Sequence, residues 1–328
     1  MTVIDESASA IKVARKQGIF GHKREPWSPR TRRAFITGML FISPWIIGFL
    51  AFTLYPMVAS LFYSFTEHHI RAPAEWIGLA NYRELLTDPK FWKALYNTIY
   101  MVVIAVPISL LFSFVCAVLL NLPVKGQSIY RVVYFLPSIV PVVASTMLWL
   151  WILNPQTGIL NSILDVIGVR SPNWFNDPYW AKPGLILLGL WGVGGTIIIY
   201  LSGLQDVPVH LLEAAELDGA NWLHRLRYIT VPLVSPLTLY NLIIGVIAMF
   251  QYFTQAYIFG AAAGGTSVTL GAPLQSTLFY SVYLYQTGFV YLRMGYASAM
   301  AWILFLVILG VTILMLRTSS RWTYYAGS

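Results

Sequence analysis

The chain has 328 residues, of which 57% are hydrophobic and only 10% charged, and its mean hydropathy is +0.66. A soluble domain carries roughly 25% charged residues, so the composition excludes a soluble globular protein as the default class and leaves a polytopic membrane protein. The net charge of +8 does not point to nucleic acid, because eight basic residues fall in the first 33 positions, and the single cysteine, Cys116, excludes an intrachain disulfide.

Residues 1–33 read as a polar, basic tail. An apolar run then extends from about Phe35 to Phe65. It is longer than the roughly 7–15 apolar residues of a signal peptide and has no convincing cleavage site, so it reads as a retained first membrane helix. A span needs about 20 apolar residues, and six segments qualify, near 35–60, 95–120, 131–152, 183–204, 234–259 and 296–316. No Asp, Glu or Lys lies within them, and Arg131 sits at an edge. The expectation is an all-α polytopic fold: a six-helix membrane domain over 34–318 and a short C-terminal tail over 319–328. Prolines 44, 56, 107, 137 and 141 lie within or near these runs, which membrane helices tolerate when neighbours satisfy the freed carbonyls.

Between the first two spans, Trp76, Phe91 and Trp92 read as aromatics of the outer membrane interface, and Thr87 or Asp88 before Pro89 as a helix start. Helix four carries Trp191 and Thr196, and its GVGGT stretch (192–196) reads as a place of close helix packing. The segment from Glu213 to Pro236, EAAELDGANWLHRLRYITVPLVSP, is polar between two apolar runs. Asp206 is placed to cap a helix and Pro208 to occupy its first turn, with Gly219 as the stop. Asn221 caps a second short helix running to Ile229, before Pro232 opens helix five. On helix five, Gln251, Thr254 and Gln255 fall at i, i+3 and i+4 and so share one face. The glycine-rich stretch 260–272 reads as a flexible external turn.

With the N-terminus inside, the cytoplasmic segments hold fourteen Lys and Arg and the external ones seven. This bias predicts both termini in the cytoplasm and puts the 205–233 loop there too.

The sequence shows no energy-coupling chemistry of its own. Ion-driven carriers place titrating groups in the membrane, whereas His68, His69, His210 and His224 all lie between spans. A phosphate-binding loop needs a lysine followed by Ser or Thr, and no lysine here is so followed. No metal site and no catalytic constellation is expected, nor a cofactor in this chain. Glu213 and Glu216 share a helix face as solvated groups or as polar contacts for a partner.

Glu213, Ala214, Ala215, Asp218, Gly219, Ala220, Ile229, Pro232 and Pro236 fall at the spacing of the EAA loop, so the segment resembles that of ATP-binding-cassette importer permeases. Leu226 stands where many members have an aromatic. The stretch from Trp76 to Thr98, through Trp76, Gly78, Leu79, Asn81, Tyr82, Asp88, Pro89, Phe91, Trp92, Asn97 and Thr98, and GYASAMAWILF from Gly295 to Phe305 look like the carbohydrate-type subfamily, which is similar to maltose, lactose and glycerol-3-phosphate importer permeases. The resemblance implies a bacterial or archaeal cytoplasmic-membrane protein embedded in lipid. Its EAA loop, between helices four and five, would dock into an ATPase subunit. The implied partners are a second homologous permease in a heterodimer, two ATPase subunits that carry ATP and Mg, and an external solute-binding protein. Solute contacts are implied on the helices flanking the loop, which makes Trp191, Thr196, Gln251, Thr254 and Gln255 candidates for the path. The same polar groups could instead bond neighbouring helices.

A sugar or polyol is the implied solute. A glycerol-phosphate or other non-sugar solute is the alternative, and a secondary carrier or channel is the reading from another class. A channel would need a continuous water-filled pore. A second EAA-bearing chain encoded beside this one would separate the classes.

Overall fold

The computed structural model describes residues 28–69, 73–169, 172–263 and 271–324. Most of the basic tail, Arg71, Arg170, most of the 260–272 turn and the last four residues of the C-terminal tail lie outside them. The described residues fall into two compact units, divided between Ala59 and Ser60.

In the first unit, helix α1 (Pro29–Phe49) starts earlier than the apolar run suggests. Ser28 caps it, its Oγ accepting the Thr31 N–H at 3.2 Å, and Pro29 takes the first position, where a missing N–H costs nothing. A π-helical turn, Leu50–Leu54, leads into α2 (Tyr55–Ser64), whose residues from Ser60 onward belong to the second unit. The Tyr55 N–H reaches back to Leu50 O. This wider winding falls just before Pro56, which has no N–H to give the regular ladder. No side chain of α1 is buried.

Among its described residues the regular structure of the second unit is helical apart from one small hairpin, β1 (Thr66–Glu67) paired antiparallel with β2 (Glu75–Trp76), and an isolated bridge between His69 and Arg293. The helices follow as α3 (Ala80–Thr87), α4 (Pro89–Asn121), α5 (Gln127–Ile139), α6 (Val142–Ile152) and α7 (Ile159–Val166). Then come α8 (Pro178–Trp191), α9 (Gly194–Gln205), α10 (Val209–Leu217) and α11 (Trp222–Arg225). The last four are α12 (Val231–Phe250), α13 (Thr254–Ala263), α14 (Tyr280–Tyr285) and α15 (Met294–Ser319).

Among the described residues, four helical stretches are long and apolar enough to cross a membrane: Pro29–Ser64, Pro89–Asn121, Trp222–Phe250 and Met294–Ser319. Two bent pairs, α5 with α6 at 102° and α8 with α9 at 52°, raise the number to as many as six. The first bend falls at Val140–Pro141, where proline drives its predecessor out of helical geometry; Val140 is extended at φ −69° and ψ 131°. The second falls at Gly192–Val193, so the GVGGT stretch straddles a break rather than lying inside one helix. Its packing role holds: a Cβ on Gly194 would stand 2.7 Å from Tyr134 O and 2.9 Å from the Phe135 Cα of α5.

α4 packs against α8, α9, α12 and α14 and joins two buried clusters. The larger contains Phe91, Met101, Phe259, Tyr280 and Met300, and the smaller Cys116, Tyr200, Leu204, Val207 and Val234. Between membrane helices the hydrophobic effect is weak, since lipid is as apolar as leucine. Close backbone approach and buried hydrogen bonds therefore carry more of the cohesion, as at Gly194.

One end of this unit is knit by polar groups. Asp88 caps α4, accepting the Lys90 N–H at 2.9 Å. Its other oxygen accepts the hydroxyls of Tyr283, on α14, and Tyr296, on α15, the latter at 2.8 Å. Asn97 donates to Gln275 O and Leu278 O, and Thr98 Oγ1 accepts the Tyr280 N–H at 2.9 Å. Asn81 donates to Ser64 O and Thr66 O, and Arg293 pairs with Glu84 through two bonds of 2.6 and 2.7 Å. Phe91, expected at the membrane interface, is instead 3% exposed, edge-on to Tyr280, and belongs to the core. Trp76 and Trp92 remain largely exposed.

Candidate functional site

The segment between α9 and α12 is built by local rules. α9 ends at Asp206, whose N–H bonds to Ser202 O, so Asp206 closes the preceding helix instead of capping the next one. Pro208 occupies the cap position of α10, with no side-chain bond. α10 ends in a Schellman turn. Gly219 has φ +83°, the Gly219 N–H bonds to Glu216 O at 3.0 Å, and the Ala220 N–H bonds to Ala215 O at 2.9 Å. A glycine suits this position because the left-handed region costs other residues about 1 kcal/mol or more.

Asn221 then caps α11, its Oδ1 accepting the His224 N–H at 2.9 Å. The second short helix does not end near Ile229. α11 runs through a π-helical turn, Leu226–Thr230, directly into α12, making one helix from Trp222 to Phe250. The Val231 N–H bonds to Leu226 O, and this wider turn again falls just before a proline, Pro232. Pro236 lies inside α12.

Glu216 on α10 and Arg225 on α11 form an ion pair at 2.6 Å that clips the two short helices together. One side of the loop is fastened down: Leu212, Ile229 and Leu233 pack against the cluster containing Val207 and Val234. The other side is open. Glu213, Ala214, Asp218 and Gly219 are exposed, as are Leu217 at 91%, Leu223 at 60% and Tyr228 at 66%. Ala215 and Ala220 are half-buried between the two faces. Leu226 lines a small cavity of about 220 Å³ with Leu212, Trp222 and Arg225. Exposed large apolar side chains rimmed by charge are the kind of surface that meets another protein or the membrane.

The candidate path residues are dispersed by helix breaks. Trp191 ends α8, half-buried, its ring edge-on to Trp149 at 6.4 Å. Thr196 is half-buried in the first turn of α9. Gln251 is the exposed C-cap of α12, whereas Thr254 and Gln255 begin α13 and are half-buried. The three therefore do not form a stripe on one helix. Tyr252 lies in the break; its hydroxyl and the Trp149 indole N–H are buried without a partner among the described residues.

Two polar features fell outside the candidates read from sequence. The first is the Asp88 network. Burial pushes the Asp88 carboxyl up, but hydrogen bonds from Tyr283, Tyr296 and the N–H groups of Lys90 and Phe91 outweigh it, leaving the group below its ordinary 3.8. Burial, then Asp88 itself, pushes the Tyr283 hydroxyl up. The available signal was the set of polar residues 81, 88, 97 and 98 beside an apolar run. The second is Arg131, marked by being a basic residue at a span edge. No group of three or more His, Cys, Asp or Glu that could hold a metal occurs among the described residues; His69 instead contacts Leu292 O and Glu67.

Residues 89–324 match the family described as binding-protein-dependent transport system inner membrane component. The probable ABC transporter permease protein YesP of Bacillus subtilis (strain 168) is 42% identical over 297 residues, covering 90% of this chain and 94% of its own. The arabinooligosaccharides transport system permease protein AraP of the same organism is 32% identical over 289 residues, covering 85% and 87%. A chain of the bacterial alginate ABC transporter, solved with an alginate pentasaccharide-bound periplasmic protein, superposes with a TM-score of 0.75 at 23% identity. That alignment covers 88% of this chain and 95% of the other, and it shows the fold. The chain belongs to the binding-protein-dependent transport system inner membrane components, the permeases of ABC transporters.

Proposed function

We propose that this chain is one permease of an importer for an oligosaccharide or related polyol, driven by ATP hydrolysis in separate subunits. The observation that carries the reading is the α10–α11 loop. It is clipped by Glu216–Arg225, stopped by a left-handed glycine, fastened to the core on one side and open on the other. Glu213, Ala214, Ala215, Asp218, Gly219 and Ala220 form the seat for an ATPase subunit. Ile229, Pro232 and Pro236 join that seat to α12. The basic-residue bias supports a cytoplasmic loop and cytoplasmic termini. The sugar reading is supported by what AraP is described as transporting and by the sugar held in the alginate complex. That complex also supports an external binding protein as partner. A second permease, two ATPase subunits and the ATP and Mg they bind complete the assembly.

The test is Gly219→Leu beside Glu213→Arg. A Cβ at Gly219 meets nothing within 4 Å, so the cost is confined to backbone conformation and the docking face. Left-handed strain of about 1–2 kcal/mol drives the undocked loop out of the docking conformation, and docking that must restore it weakens by up to roughly tenfold. Both variants should insert normally, retain less ATPase subunit on purification, and lose uptake of labelled oligosaccharide. Full ATPase retention with wild-type uptake in both would refute the docking role.

A further inference from the structure

Arg131 lies one turn into α5, beside α9. It lines a groove of about 230 Å³ whose walls include Tyr134, Phe135, Ile198, Ser202 and Gln205. The Arg131 Nε is buried without a hydrogen-bond partner, and no ion pair reaches the guanidinium among the described residues. Asp206, one residue beyond Gln205, is exposed and forms no ion pair with it; Lys125, just before α5, is also exposed. A guanidinium donates up to five hydrogen bonds in a planar fork that fits phosphate, and leaving a buried donor unpaired is costly.

The groove is graded along its length. Arg131, Ser202 and Gln205 sit where α5 begins and α9 ends, so its polar groups share one end. Phe135 and Ile198 lie a turn deeper into the spans and are 36% and 43% exposed. Gly194 closes the deep end by its contact with the backbone at Tyr134 and Phe135. A basic mouth over an apolar channel matches a phosphate carrying an acyl chain. Basic pockets between membrane helices near an aqueous face are where anionic headgroups bind.

We propose that the groove between α5 and α9 is a phospholipid site, in which Arg131 takes the headgroup phosphate and Phe135 and Ile198 take the acyl chain. A phosphate ester free in solution shares the headgroup chemistry but makes no use of the apolar wall.

The experiment uses the full transporter complex. Bound lipid is counted by mass spectrometry after detergent extraction. Melting is followed in nanodiscs of phosphatidylcholine with and without one quarter phosphatidylglycerol. The wild type should retain anionic phospholipid and melt higher with phosphatidylglycerol. Arg131→Gln should lower the retained lipid roughly tenfold, the worth of a charge-assisted bond, and abolish the melting shift. Ser202→Phe fills the exposed mouth with Arg131 intact and should do the same, while Lys125→Gln should match the wild type. Equal lipid retention in wild type, Arg131→Gln and Ser202→Phe would overturn the site. So would an equal melting shift from inorganic phosphate or glycerol 3-phosphate in phosphatidylcholine alone, which would assign the groove to a soluble phosphate. Loss of a protein subunit from Arg131→Gln, with lipid unchanged, would give the groove to a protein neighbour.

Discussion

Asp88→Ala should be among the costliest polar substitutions at its end of the molecule. Asp88 is half-buried, but the two tyrosines it holds are not; Tyr283 is 6% exposed and Tyr296 2%. Removing the carboxylate strands both hydroxyls, at about 1–3 kcal/mol each, and water reaching the half-open carboxylate position argues for the low end. Loss of the α4 cap adds about 1 kcal/mol. The expected total is about 3 kcal/mol, read as a lower melting temperature of the purified complex. The decisive measurement is a cycle with Tyr283→Phe and Tyr296→Phe combined. In that background only the cap remains to be lost, so Asp88→Ala should cost about 1 kcal/mol. An undiminished cost there would show that the hydroxyls are not what Asp88 holds. The pH dependence has a fixed sign. Because the folded-state value lies below the ordinary 3.8, the stabilisation is present above about pH 4 and is lost as pH falls through the lowered folded value. Asp88→Asn should flatten that acid limb.

Gly194→Leu forces a side chain against the α5 backbone and should cost at least about 1–3 kcal/mol in melting stability. Gly195→Ala, one residue on with nothing within 4 Å, should melt within about 0.5 kcal/mol of wild type. Gln251 is an exposed helix cap, so Gln251→Leu should leave complex yield unchanged, and a fall in uptake per complex would mark it as a solute contact. Thr254→Val and Gln255→Leu are half-buried and should be read against complex yield as well as uptake; unchanged uptake per complex in all three removes them from the path.

What was legible in the sequence was local. Gly219 and Asn221 act where turn chemistry puts them, because a left-handed stop and an oxygen cap depend on neighbours within a few residues. Asp206 and Pro208 were placed by the same rules and came out shifted, since α9 continues far enough to make Asp206 its own terminus. The α12–α13 break had no such marker. Nothing in Gln251–Tyr252–Phe253 is a helix breaker. The surroundings are tertiary: Ser281 Oγ donates to Phe250 O, Tyr252 packs edge-on to Phe279, and Phe253 lies against Tyr285. The Asp88 network is equally remote, joining positions about 200 residues apart, so its members could be quoted as a likeness without their bonds being visible.

The continuity of α11 with α12 changes what the loop can do mechanically. Two short helices ending before Pro232 would leave a flexible joint between loop and span. Instead the π-helical turn carries the backbone through, and Pro232 enters without a stop. The Glu216–Arg225 clip ties α10 to the same rod, although with Glu216 two-thirds exposed it contributes geometry more than stability. The far end of that rod is Gln251, followed at once by the break around Tyr252, whose hydroxyl is buried without a partner. A displacement of the exposed loop face would therefore be carried along α12 to the position where the helix is already interrupted. There a change of conformation breaks fewer backbone hydrogen bonds than inside an unbroken helix, because the ladder is already interrupted.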